Sequence, residues 1–329
     1  NNPNVGTSSN NWTPQLVGNF MEEAGGAADW NPADPLFDMS LTGGTQWTKT
    51  ITVATPGDYQ MKIVTDGTFD RQFNVRGYAN LYGEDFAFTT TQPNEQVVVT
   101  FDSFEPSLTI QTASVSAPTI VNHAIYHVGF AGTRIPSWSA IDTQKQLVQR
   151  GATSQLVTLN NLFNTSRGIN GVVLDFDGLM DLNDLTFEFS VSPNSVFDEG
   201  QFPISSWSPG PASNPPTLYS GEGFGGSDRV LIHWDNNQIA NQYLHIKVIY
   251  GKQIIDEFVL GHLLGETTGV VAGGTSFSVS FADVSPIRSE VGSTVDAGGS
   301  SDIDKSGGVS FADISAMRGN IGAQLTIIT

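Results

Sequence analysis

The chain has 329 residues and a formal net charge of −19, from 33 acidic against 14 basic side chains. That balance repels nucleic-acid phosphates and anionic membranes, and it suits a protein bathed in calcium. There is no cysteine, so disulfide staples and thiol chemistry are excluded, and no apolar run nears the ~20 residues of a membrane span. Glycine (35), proline (16) and abundant Thr, Ser, Asn and Val favour short strands and turns, in two or three domains. Opening on Asn1 rather than Met is expected of a mature secreted protein, or of an excerpt from something longer.

Residues 1–11 form a polar arm that only another domain or a neighbouring molecule would pin. Residues 12–112 alternate apolar and polar positions in short runs, expected as a β-sandwich of roughly immunoglobulin size. The clearest strands are Gln46–Val53, 59–64, 96–101 and 107–111, with turns at Pro56-Gly57-Asp58 and Asp66-Gly67. Trp30, Trp47, Tyr59 and Phe69 are candidate ligand-binding residues, because an aromatic ring can stack on the apolar face of a pyranose. Trp47 and Tyr59 fall inside strand patterns, where packing in the core is the competing role. Val17-Gly18-Asn19-Phe20, Asp29-Trp30-Asn31-Pro32, Trp47-Thr48-Lys49-Thr50, the run from Pro56 to Lys62 and Asp66-Gly67-Thr68-Phe69 carry a resemblance. The stretch resembles the sandwich modules attached to amylopullulanases and other α-glucan enzymes, related in architecture to starch-binding modules.

A linker at 113–119 leads to a second strand-rich domain, 120–265, also expected to be a sandwich. Its strands are placed at 120–128, 155–159, 171–176, 185–191, 229–234, 243–250 and 254–260, with a proline-rich loop at 206–216. Arg167 and Arg229 lie in glycine-flanked turns near acidic residues and are expected to clamp loops rather than hold a ligand. The acidic cluster 175–184 fits no metal-loop template, and a strand end followed by a capped turn accounts for it. The five histidines lack metal-ligand spacing. Ser166-Arg-Gly-Ile-Asn-Gly171, Gly225-Gly-Ser-Asp-Arg229 and 241–248 resemble a sandwich found near the C-terminal end of large secreted bacterial modular proteins, directly before a degenerate dockerin pair.

The strongest local signal is a twelve-position loop that begins at Asp302 and ends at Asp313. It sets oxygens at positions 1, 3 and 5 (Asp302, Asp304, Ser306), a turn at Gly307, the Gly308 carbonyl at position 7 and Asp313 at position 12. A hard cation takes six to eight oxygens at about 2.3–2.6 Å, so this spacing predicts one Ca2+ site. A helix is expected from Phe311 to about Ile321, with Ile314, Met317 and Ile321 as its apolar stripe. The loop and helix resemble a dockerin repeat. The phrase from Val309 to Gly322 recurs thirty residues earlier, from Val279 to Gly292, matching at eight of fourteen positions. In that copy Ala272 and Gly274 replace the first two acids and Phe277 the turn glycine, so it is expected to be metal-free, with Asp283 bracing its helix. Residues 266–322 are therefore read as a repeat pair. The tail 323–329 is strand-like and expected to pair with the second sandwich or with a neighbour's sheet.

No serine elbow, His-Glu-x-x-His motif or phosphate-cradling loop is present. The fold class expected is mainly β: two sandwiches (immunoglobulin-like or jelly-roll-like) plus a small helical, dockerin-like calcium-loop domain. The function expected is that of a non-catalytic, calcium-binding extracellular protein of a cell-surface, matrix or fibre assembly, partnered by copies of itself or by other proteins. The alternative is a carbohydrate-binding, α-glucan-directed module of an extracellular polysaccharide-handling system. Neither nucleic acid nor a membrane span enters either reading.

Overall fold

The computed structural model describes residues 13–75, 77–78, 84–104, 107–113, 116–150, 156–179, 181–270 and 273–328. The arm 1–11, Ala272 and Thr329 lie outside these. The chain is mainly β and divides into two compact units, one up to Ala117 with Tyr250–Gln253, the other Pro118–Ile249 with the chain from Ile254 onward.

In the first unit, strands β1 (Pro14–Gly18), β4 (Asp58–Thr65), β5 (Thr68–Asn74) and β6 (Gly77–Tyr78) follow one another in a sheet, with β7 (Phe86–Thr89) also paired to β4. The facing sheet runs β2 (Ser40–Gly43), β3 (Gln46–Val53), β8 (Glu95–Asp102) and β9 (Ser107–Ala113). The period-two pattern decides which side chains point inward. Val97, Val99 and Phe101 of β8 are buried while Val98 and Thr100 between them are not. They meet Ile51 and Val53 of β3 and Met61 and Ile63 of β4 in one apolar cluster with Phe20 and Phe37. Asp66 and Gly67 both take positive φ, 60° and 68°, which is the twist a two-residue hairpin between β4 and β5 demands.

The second unit also carries two large sheets. One orders β11 (Ile141–Asp142), β10 (Thr119–Tyr126), β14 (Gly171–Asp177), β18 (Asp228–His233) and β17 (Thr217–Tyr219). The other orders β12 (Val148–Gln149), β20 (Gln253–His262), β19 (Tyr243–Tyr250), β15 (Leu185–Val191) and β16 (Ser208–Pro209), with β13 (Leu162–Phe163) parallel to β20. The strand expected at 155–159 does not form in its described part: 156–158 are irregular and 159–161 a 3₁₀ turn capped by Thr158.

The repeats do not stand apart as a domain of their own. Ile287, Ile303, Val309, Ile314, Met317 and Leu325 share one buried cluster with Leu162, Tyr243, Val259 and Leu263 of the sandwich. Helix α2 (Phe311–Arg318) is shorter than expected, the chain turning at 319–322. Helix α1 (Val284–Ser289) is shorter still, beginning after a 3₁₀ turn at Phe281–Asp283. Pro286 has no N–H to donate to the Ala282 carbonyl, so the α-helical ladder cannot reach back into that 3₁₀ turn. The tail is also placed differently from expectation. β22 (Gln324–Thr326) pairs antiparallel with β21 (Ser276–Ser278), so one of its edges is satisfied within the chain, by the first repeat and not by the sandwich sheet. This takes away the part of the assembly reading that rested on an unpaired tail.

A buried histidine in this unit sets an acid sensitivity. His262 is fully buried, with Nε2 2.7 Å from the Thr165 carbonyl and Nδ1 accepting from Asn241 N–H at 2.9 Å. Both ring nitrogens are therefore spoken for in the neutral form, and burial lowers the pKa to about 4, the Thr165 carbonyl opposing that shift only in part. Between the ordinary value of about 6.5 and that folded value the unfolded chain binds the extra proton, so stability must fall as pH falls through this window. The full loss from this residue is about 3 kcal/mol. Chemical denaturation at pH 7 and pH 5 should show the loss, and His262→Gln should lessen the dependence without abolishing it, because burial also lowers His127 and His245 to about 4. An unchanged slope in that variant would refute the assignment.

Candidate metal site and candidate binding aromatics

The loop 302–313 folds around its own acids. Asp302, fully buried, accepts Ser306 N–H at 3.0 Å on one oxygen and Gly307 N–H at 2.8 Å on the other. Asp304 also accepts Ser306 N–H, at 2.9 Å. The sharp turn between them needs left-handed backbone, which Lys305 (φ 54°) and Gly307 (φ 89°) adopt, and the glycine does so without steric cost. The result gathers carboxylate oxygens of Asp302, Asp304 and Asp313 within 4.8 Å of one another, the only such trio among the described residues. Ser306 Oγ lies 3.2 Å from the Gly308 carbonyl, so these two further oxygens sit side by side.

Electrostatics favours a cation at this point. Burial raises the Asp302 pKa and proximity to Asp304 adds to it, against N–H groups of Gly307 and Ser306 and the charge of Lys305 that pull it down. The Lys305 ammonium does not neutralise the trio by contact, since its Nζ is held by the Ala297 and Gly299 carbonyls, both at 2.9 Å. A divalent cation would supply the missing positive charge, and an all-oxygen donor set suits calcium rather than zinc or copper. Asp302, Asp304, Ser306 and the Gly308 carbonyl thus fit as ligands. Asp313 fits on the same terms as Asp302 and Asp304, by sharing a carboxylate that already accepts backbone N–H groups, here Ile303 and Asp304 N–H at 2.7 and 3.0 Å and Ser310 N–H at 2.8 Å.

The first repeat separates bracing from binding. Asp283 closes the same capping box on Ser280 and accepts Thr267 and Thr268 N–H at 2.7 and 3.1 Å, the job Asp313 does for Ile303 and Asp304. Burial alone would raise its pKa, but those N–H groups hold it low; neighbouring Glu266 is raised by burial and by the charge of Asp283. Phe277, where a turn glycine would stand, is fully buried in β21. Part of this loop is a strand, and Asp283 braces backbone N–H groups.

Sequence reasoning did not find the contacts that fasten the loop to the sandwich. Arg167 Nε donates to the Asp304 carbonyl at 3.0 Å and its Nη1 to the Val128 carbonyl at 2.7 Å. Ser166 N–H donates to the Ile303 carbonyl at 2.7 Å, and Ala131 N–H to that of Lys305 at 2.9 Å. The expected Arg–Asp clamp forms at Arg229, with Asp175, whereas Arg167 clamps carbonyls. In the cluster 175–184, Asp175 is taken by Arg229, and Asp181 caps a 3₁₀ turn at Asn183.

Of the four aromatic candidates, Tyr59 must be withdrawn. Its ring is buried and stacked on Phe88 at 5.4 Å, with the hydroxyl donating to the Thr55 carbonyl at 2.6 Å. Trp30 and Trp47 are half-buried, both packed against the core cluster, and the Lys62 ammonium sits 5.2 Å over the Trp30 ring. Phe69 is exposed.

Comparison with known proteins bears on the first unit. Residues 13–106, less than a third of the chain, match the pullulanase X25 domain. That match carries the amylopullulanase-type likeness of the first sandwich and does not reach the repeats. None of the curated proteins matches the chain. Among solved structures, the pullulanase from Bacillus acidopullulyticus is similar at 12% identity over 77% of this chain and 28% of its own, with a TM-score of 0.28, a likeness too slight to argue from. The chain spans just over a quarter of that protein's length. No described helix is long and apolar enough to cross a membrane.

Proposed function

We propose that the chain is a non-catalytic, α-glucan-associated section of an extracellular polysaccharide-processing protein, its first sandwich meeting the polysaccharide and its second unit clipped by one calcium ion. The observation that carries the glucan half is the X25 match over 13–106. It favours this reading over a surface or fibre assembly, whose tail argument the β21–β22 pairing removes. Trp30, Trp47 and Phe69 are the side chains left for sugar contact. The calcium half rests on the carboxylate trio of Asp302, Asp304 and Asp313.

Affinity electrophoresis of the whole chain in gels containing pullulan or soluble starch tests the glucan half. The expected result is retardation in the polysaccharide gels, reduced in Phe69→Ala. Loss of one stacked ring costs about 1 kcal/mol, roughly a fivefold drop in affinity. Equal mobility with and without polysaccharide would sink the reading.

A further inference from the structure

The second unit holds a cleft of about 390 Å³ that neither the glucan half nor the calcium half of the proposed function uses. It lies on the sheet in which β20, β19 and β15 are neighbours. Period-two spacing brings their side chains to one face: Glu188 and Ser190 from β15, His245 and Lys247 from β19, Glu257 from β20. Arg150, just beyond β12, and Trp207, just before β16, complete the lining. A second hollow of about 190 Å³ shares Arg150, Ile204 and Trp207 with the first and is also lined by Phe202, so the two adjoin.

Two buried polar atoms at this cleft have no hydrogen-bond partner. One is Nε2 of His245, a residue only 4% exposed, whose Nδ1 is engaged at 3.3 Å by Ser190 Oγ. Its nearest carboxylate, Glu257 Oε1, is 4.0 Å away, beyond hydrogen-bonding distance. The other is Nη1 of Arg150. Buried polar groups are almost always partnered, so two orphans lining one concave site mark where a ligand's polar atoms are wanted.

The charges select the ligand class. In the first hollow Arg150 and Lys247 are balanced by Glu188 and Glu257, Lys247 meeting Glu188 only loosely, at 3.9 Å, while Glu199 lines the second hollow. An anion would face the two carboxylates, and a cation the ammonium and guanidinium. Hydroxyl groups, each able to donate and accept, satisfy both sets with no net charge. Phe202 and Trp207 supply apolar walls of the kind that cover sugar C–H faces. Burial, together with the nearby Lys247 and Arg150, lowers the His245 pKa to about 4, so at neutral pH its ring is uncharged and suited to a hydroxyl. We propose that this groove binds a short neutral oligosaccharide. The site is confined to the second unit and does not rest on the first sandwich binding glucan.

The test titrates the full-length protein with maltopentaose, cellopentaose, xylopentaose and a trigalacturonate. Affinity is followed by calorimetry, and the His245 ring by nitrogen–proton correlation spectra. At least one neutral pentasaccharide should bind saturably and shift the His245 resonances. Lys247→Ala and Glu257→Gln should each weaken that binding about tenfold. The Lys247 and Glu257 side chains are 35% and 30% exposed, so folding should survive, and melting curves check it. Phe69→Ala in the first sandwich should leave the His245 shift unchanged, which separates this site from the one proposed there. The proposal is overturned if no neutral sugar moves His245, if only the trigalacturonate does, or if both variants bind as tightly as the wild type.

Discussion

Arg229→Met should destabilise the second unit by about 3–5 kcal/mol, because it strands a carboxylate that has no access to water. Asp175 is fully buried and lies directly across the strand pair from Arg229. The guanidinium grips it with two bonds, Nε to Oδ1 at 2.6 Å and Nη2 to Oδ2 at 2.8 Å, and its flat face rests 4.9 Å from the Trp138 ring centre. Burial alone would raise the Asp175 pKa, yet the bonds from Arg229, Asn122 and Phe224 N–H hold it below the ordinary value. That depression is stability present above the unfolded pKa of about 3.9 and lost as pH falls through the lower folded value. In the variant only the neutral donors remain, so Asp175 takes up a proton more readily and the gap from wild type should narrow under acid. Adding Asp175→Leu to Arg229→Met should recover part of the loss, since a well-packed apolar pair often replaces a buried ion pair at little cost. Urea titrations of the wild type, the single variant and the double variant check this. A double variant less stable than the single one would show that the pair is not the source.

What could be read in the sequence follows the range of the interactions. The loop acids sit within twelve consecutive residues, so spacing alone predicted that Asp302, Asp304 and Asp313 would converge. Strands β3, β15 and β19 were legible because one face of each is drier than the other or bounded by clear turns. β1 was not, since all five of its residues are buried and no alternation survives. β2 failed for the opposite reason, being exposed throughout. Phe277 advertised the loss of a turn glycine but not the strand that replaced it, which exists only because the tail comes back to pair with it. Arg167 acts on backbone carbonyls, and an acceptor that every residue carries leaves no trace in composition. The oligosaccharide groove draws Arg150, Glu188, His245 and Glu257 from four separate segments, so nothing local announces it.

Calcium removal should lower the stability of the whole second unit, rather than melt a small appendage ahead of it. Binding to the folded state alone adds about 2.7 kcal/mol at a hundredfold excess over Kd and about 4.1 kcal/mol at a thousandfold. For a unit of this size the smaller figure corresponds to roughly 5–10 °C in melting temperature. The loss should spread because the loop is not independent: Ile303 and Val309 belong to the core cluster that includes Tyr243 and Val259, and Arg167 ties the Asp304 carbonyl to that of Val128. Loosening the loop therefore frees a clamp on β10's exit and a share of the apolar core at once. Calorimetric melts in calcium and in EGTA, on the wild type and on Asp302→Ala with Asp304→Ala, read the effect. The wild-type transition should move with calcium, and that of the double variant should sit low and ignore it. Asp283→Asn, in the first repeat, should lower stability to the same extent in calcium and in EGTA, because Asp283 braces backbone N–H groups without a metal. A wild-type melt indifferent to EGTA would remove the metal from the loop. A separate, early transition that alone responds to calcium would instead show that the repeats are clipped but not coupled to the sandwich.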